Sequence, residues 1–154
     1  MIDEFVTIDF KLIAIHSSLD DYRLAYFINR ELEILLEKHD ESIGVKARGG
    51  EGWLSRFSFE DSASDTLWTF IQNKNKAEIL QKNDTGSLFG STAYTATTNV
   101  YLLPEMKKVD YILKIDNPAV DPQQLVDRLL GIKHITTAYA VDHHKLKSKN
   151  NLIF

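Results

Sequence analysis

Four charged side chains follow a single proline: Glu105, Lys107, Lys108 and Asp110, directly after Pro104. Two carboxylates at such a spacing can act as a general acid and base, and the two lysines between them can hold an anion. The same residues also suit a plain turn, in which carboxylates accept from backbone N–H groups or pair with neighbouring lysines. We read Glu105, Lys107, Lys108 and Asp110 as a recognition site and assign no catalytic residue.

The other candidates are weaker. His134, Asp142, His143 and His144 are the cluster most like a metal site. Adjacent histidines in an extended segment point to opposite faces, and no set of three or four ligands is evident. Neither a metal nor any other cofactor is therefore expected. Arg48-Gly-Gly-Glu-Gly52 could cradle an anion through backbone N–H groups, but no strand precedes it and no helix follows, so it reads as a plain loop. Gly86-Ser-Leu-Phe-Gly90 has its serine in the wrong place for a nucleophile elbow. Trp53, Phe57, Phe59, Trp68 and Phe70 would suit a base-stacking sheet, yet such residues more often fill a core. Lys145, Lys147 and Lys149 form a short basic tail, ordinarily a solvated end.

These groups sit in a chain of 154 residues with 44% hydrophobic and 26% charged residues and a net charge of −4. That length suits one domain, 1–154, able to bury a core without a staple. The absence of cysteine excludes disulfides, thiolate metal sites and cysteine nucleophiles. An acidic start and the lack of a long apolar run argue against a signal peptide and against a membrane span. The cytoplasm is the expected location. The acidic balance disfavours nucleic acid as a partner.

The pattern of apolar residues supplies the elements. Residues 5–15 alternate with period 2, and Ile13 and Ile15 interrupt the polar face, so a strand covered on both sides near its end is expected. Ser18 and two aspartates open an amphipathic helix over 19–37, with Ala25, Ile28, Leu32 and Leu35 on its apolar stripe. The glycine-rich stretch 38–52 reads as a loop. Residues 53–59 and 67–71 alternate into a hairpin. No period is clear over 74–93, which reads as a mobile loop that could contain a short helix at 76–82. Strands follow at 94–102 and 109–115, separated by a turn at Pro104. Val109 and Tyr111 should be buried, with Asp110 and Glu105 at the surface. Asp121-Pro122 starts a second helix that Gly131 stops, and 135–141 forms a final strand before the tail at 145–154.

This order, β-α-β-β-β-β-α-β, implies an α+β fold: a mostly antiparallel sheet with two helices on one face, on the ferredoxin-like plan with an extra central hairpin. A short open sheet has edges, so a homodimer is also expected.

The run Leu103-Pro104-Glu105-Met106-Lys107-Lys108-Val109-Asp110-Tyr111 resembles the signature of the bacterial family called IPExxxVDY, with Leu103 in place of isoleucine. Leu146-Lys-Ser-Lys-Asn-Asn-Leu152 and Tyr22-Arg-Leu-Ala25 are also similar to that family. The resemblance implies a cytoplasmic bacterial protein and carries over no catalytic residue. Taken together, the sequence favours a non-catalytic binding or regulatory module for a protein partner or a small ligand. The alternatives are an RNA-binding protein using its aromatic strands and lysine tail, and a small enzyme using carboxylates near Glu105.

Overall fold

The computed structural model describes residues 9–82 and 93–154. Its centre is β1, Phe10–Ser17, whose alternation sends Leu12 and Ala14 to one side and Ile13 and Ile15 to the other. All four are fully buried, so β1 is covered on both faces. Antiparallel partners lie on either side of it: β9, Tyr111–Asp116, and β10, Ile135–Val141.

Outward from β9 come β6, Thr66–Gln72, then β5, Arg56–Asp61, and the two-residue β2, Glu37–Lys38. Among the described residues the main sheet has the order β10-β1-β9-β6-β5-β2, with every neighbouring pair antiparallel. Its first four strands have the ferredoxin-like arrangement, since β1 and β6 run parallel on either side of β9, and β9 and β10 run parallel on either side of β1. The fold is α+β, with the mostly antiparallel sheet that the sequence pattern implies.

Helix α1, Asp21–Leu32, and helix α2, Pro122–Leu130, lie over one face. Leu24, Ala25, Ile28 and Leu32 of α1 and Leu125, Val126 and Leu129 of α2 pack with Ile13, Ile15, Phe70 and Leu113. The second helix starts and stops where Pro122 and Gly131 indicate. The first is shorter than its apolar spacing suggests. Glu33 turns left-handed at φ 56, and the Asn29 side chain reaches forward to donate to the Leu36 carbonyl and to accept from the Leu36 N–H. Leu35 is consequently not on the apolar stripe but 67% exposed.

The other face of the sheet carries a second core, formed by Leu12, Ala14, Ile71 and Ile112 under two further hairpins. One joins β3, Ile43–Ala47, to β4, Gly50–Leu54; the other joins β7, Lys74–Lys82, to β8, Ala93–Tyr101. These hairpins correct two expectations. The glycine-rich stretch is not a loop, because its glycines serve close packing. A Cβ at Gly52 would lie 2.4 Å from the Val100 side chain, and Gly49 makes the turn at φ 90. Residues 74–82 are neither a loop nor a helix but a strand that buries Ala77 and Ile79. Residues 83–92, which include the Gly86–Gly90 motif, lie outside the described residues, as do residues 5–8 of the expected first strand.

The C-terminal segment is not a solvated tail. It forms two short 3-10 turns, His143–Lys145 and Lys149–Leu152, and drives Leu152 fully into the second core. No helix among the described residues is long and apolar enough to cross a membrane.

Candidate binding cleft

The segment Leu103–Tyr111 is organised by Asn73, a polar residue with no exposed surface. Its side-chain N–H2 donates to the carbonyls of Met106 at 2.8 Å and Val109 at 2.9 Å, and its side-chain oxygen accepts from the Leu103 N–H at 2.9 Å. Its backbone N–H donates to the Asp110 carbonyl and its carbonyl accepts from Leu102. Asn73 thus satisfies backbone groups on both sides of a surface 3-10 turn, Pro104–Met106.

The residues of that segment each fasten a different part of the chain. Val109 is buried as expected. Glu105 is at the surface, as expected, but its carboxylate is occupied. It accepts from the N–H groups of Lys147 at 2.7 Å and Ser148 at 2.9 Å, and from the Ser148 hydroxyl. These bonds hold its carboxyl below the usual value, the Ser148 hydroxyl contributing most. Asp110 is not fully exposed. One oxygen accepts from the Ser17 N–H at 2.9 Å, and the other pairs with the Lys74 ammonium at 3.0 Å. The Tyr111 hydroxyl donates to the Leu19 carbonyl at 2.6 Å. Burial, followed by the charges of Asp21, Asp110 and Asp20, raises its pKa far above the ordinary phenol range, so it stays a donor.

These ties bring the entry to α1 against the base of the β7–β8 hairpin and leave a cleft of about 710 Å³ between them. Ser17, Ser18, Leu19 and Asp20 form one wall; Lys74, Asn75, Lys76, Asn99 and Tyr101 form the other; Lys107, Asp110 and Tyr111 close the base. Lys107 stands 5.6 Å from the centre of the Tyr101 ring. Lys74 is balanced by Asp110, whereas Lys76 and Lys107 bring charge to the cleft and have no acidic partner among the described residues. The N-terminus of α1 opens on the same space, and the Asp20 side chain makes no capping bond there. Helix N–H groups and lysines on facing walls favour an anionic group between them.

Of the four residues read from sequence, Lys107 and Asp110 line this cleft. Lys108 is exposed and outside it, and Glu105 is committed to the C-terminal segment. The two carboxylates therefore serve different contacts. Lys74 and Lys76 carry no signal in the sequence because 74–82 shows no period, although they sit two positions apart in β7, the spacing of one strand face; Tyr101 stands near the end of the expected strand 94–102 with nothing in the pattern to mark it. Asn73 was missed because no pattern distinguishes a buried asparagine from an exposed one.

Elsewhere, His143 and His144 are not extended but share a 3-10 turn, with ring centres 4.2 Å apart. Among the described residues no group of three or more His, Asp or Glu side chains converges to hold a metal ion. Phe57, Trp68 and Phe70 lie in the core beneath the helices; Trp53 remains 55% exposed. Compared with family models, curated proteins and solved structures, the chain gave no match.

Proposed function

We propose that this protein is a non-catalytic binding or regulatory module whose cleft takes a small ligand through an anionic group, a carboxylate or a phosphate. The observation that carries the reading is the meeting of Lys74, Lys76 and Lys107 with the entry to α1 around one cleft. Asp110 orients Lys74 and holds the Ser17 N–H, so it shapes the wall without needing to react. The engagement of both signature carboxylates in structural bonds weighs against the enzyme reading, and the burial of Phe57, Trp68 and Phe70 weighs against base stacking. Membership of the IPExxxVDY family and a cytoplasmic, bacterial setting belong to the same proposal. They rest on the 103–111 segment, whose residues now have defined structural duties.

The test is a titration with inorganic phosphate, pyrophosphate and citrate, followed by backbone N–H chemical shifts. Shifts should concentrate at Ser18, Asp20, Lys76 and Lys107. The double substitution Lys76→Gln with Lys107→Gln should remove them at an unchanged melting temperature. Shifts scattered over the surface, or unaffected by the substitutions, would sink the reading.

A further inference from the structure

The two edges of the main sheet are unequal. The β2 edge is two residues long, and both, Glu37 and Lys38, are charged, which is how edge strands ordinarily resist pairing. The β10 edge, Ile-Thr-Thr-Ala-Tyr-Ala-Val, has seven residues with no charge and no proline. After it the chain turns away: His143 stacks on Phe10 at 3.9 Å, and Leu152 enters the second core. Among the described residues nothing pairs with the outer side of β10.

The backbone of β10 points outward in a definite phase. The Asp9 and Ile15 carbonyls accept from the N–H groups of Asn117 and Asp110, beside β9. Odd-numbered residues of β1 therefore direct their backbone groups to β9 and even-numbered ones to β10. Leu12 faces Val141 and Ala14 faces Tyr139, so Val141 and Tyr139 bond inward. Ala138 and Ala140 are left with N–H and C=O groups directed away from the sheet.

We propose that β10 pairs antiparallel with β10 of a second copy of this chain, about a two-fold axis at Ala138, so that the two sheets become continuous. Ala138 is the middle residue of the strand and lies in its regular part, Thr137 to Val141, before the register shifts at Thr136; each Ala138 exchanges both backbone bonds with its counterpart. The small side chain of Ala138 lets the strands approach, and Thr137 of each copy meets Tyr139 of the other. A strand with no charged residue is suited to its own copy rather than to a charged partner.

Light scattering at tens of micromolar should give twice the chain mass of 17.6 kDa. Hydrogen exchange should show the Ala138 and Ala140 N–H groups protected at that concentration and exposed on dilution. The double substitution Thr137→Lys with Tyr139→Lys puts lysine against lysine and should give a monomer with a cooperative melt. The matching pair Thr137→Glu with Tyr139→Glu should also be monomeric, and mixing the two should restore the dimer. Ala140→Lys, outside both sets, should shift the mass to monomer should either double variant fail to fold. A wild-type protein that stays monomeric, or a dimer indifferent to these lysines, overturns the proposal. So does a monomer whose β10 edge accepts an added extended peptide instead.

Discussion

The side-chain oxygen of Asn73 accepts from the Leu103 N–H at 2.9 Å, and both residues are completely buried. Through this bond one asparagine side chain takes the place of a neighbouring strand for the turn at Pro104–Met106. That turn delivers Glu105 to the C-terminal segment and Lys107 and Asp110 to the cleft. The most distinctive stretch of the sequence is thus a fastening that also carries Lys107 and Asp110 to the wall of a cleft.

Asn73→Ala should be among the most destabilising single substitutions in the chain. It leaves the buried Leu103 N–H and Val109 carbonyl without their partner and takes from the Met106 carbonyl one of its two donors, the Val109 N–H being the other. Unfolding in urea should show a loss of about 2–4 kcal/mol. A loss below about 0.5 kcal/mol, the level of an ordinary surface change, would mean that the turn is held by other contacts.

Acid should loosen the C-terminal segment before the sheet. The folded Glu105 carboxyl titrates below its ordinary 4.5 because of the Ser148 hydroxyl and the Lys147 and Ser148 N–H groups. A group depressed by folding stabilises the fold above its unfolded pKa and loses that contribution as the pH falls through the folded value. His143 is likewise lowered from 6.5, by burial first and by His144 second, so its neutral ring also favours the folded form above that value. Protection of the Lys147 and Ser148 N–H groups, taken relative to the intrinsic exchange rate at each pH, should therefore fall in two stages as pH falls, the first beginning below 6.5 and the second below 4.5. Glu105→Gln should abolish the second stage and keep the first. Protection that does not change between pH 7 and the acid limit would contradict this.

The end of α1 offers a paired comparison. Leu32→Ala should cost roughly 2–5 kcal/mol as a cavity beneath the helix. Leu35→Ala, three residues on, should lie within about 0.5 kcal/mol of wild type because that side chain is in solvent. Glu33→Gly should be stabilising by up to about 1 kcal/mol, since the position is left-handed at φ 56. Equal costs at 32 and 35 would show that the helix continues as its apolar spacing implies.

Periodicity alone carried the framework of β1, α1, β5, β6, β8, β9, α2 and β10, because burial on one face forces apolar residues into a repeat of two or of 3.6. The α+β class and the placing of both helices on one face followed from the order of those repeats. Periodicity failed where the decisive contact was polar or distant. The stop of α1 depends on Asn29 bonding to Leu36, while the residues from Ile34 to Leu36 still look helical. Among the described side chains of the strand at Lys74–Lys82 only Ala77 and Ile79 are buried, and so few apolar positions make no visible period without β4 and β8 to pair and pack against it. Glycines at 49 and 52 signal a loop until the nearness of Leu80 and Val100 explains them. Sequence marked Glu105, Lys107, Lys108 and Asp110 as one group, because neighbours in the chain look like neighbours in space. The tertiary structure divided them, sending Glu105 to Ser148 and Asp110 to Ser17 and Lys74, and it alone brought Lys76 and Lys107 to one cleft. Hydrogen-bond partners are selected by geometry within a few ångströms, and no pattern along the chain encodes that distance.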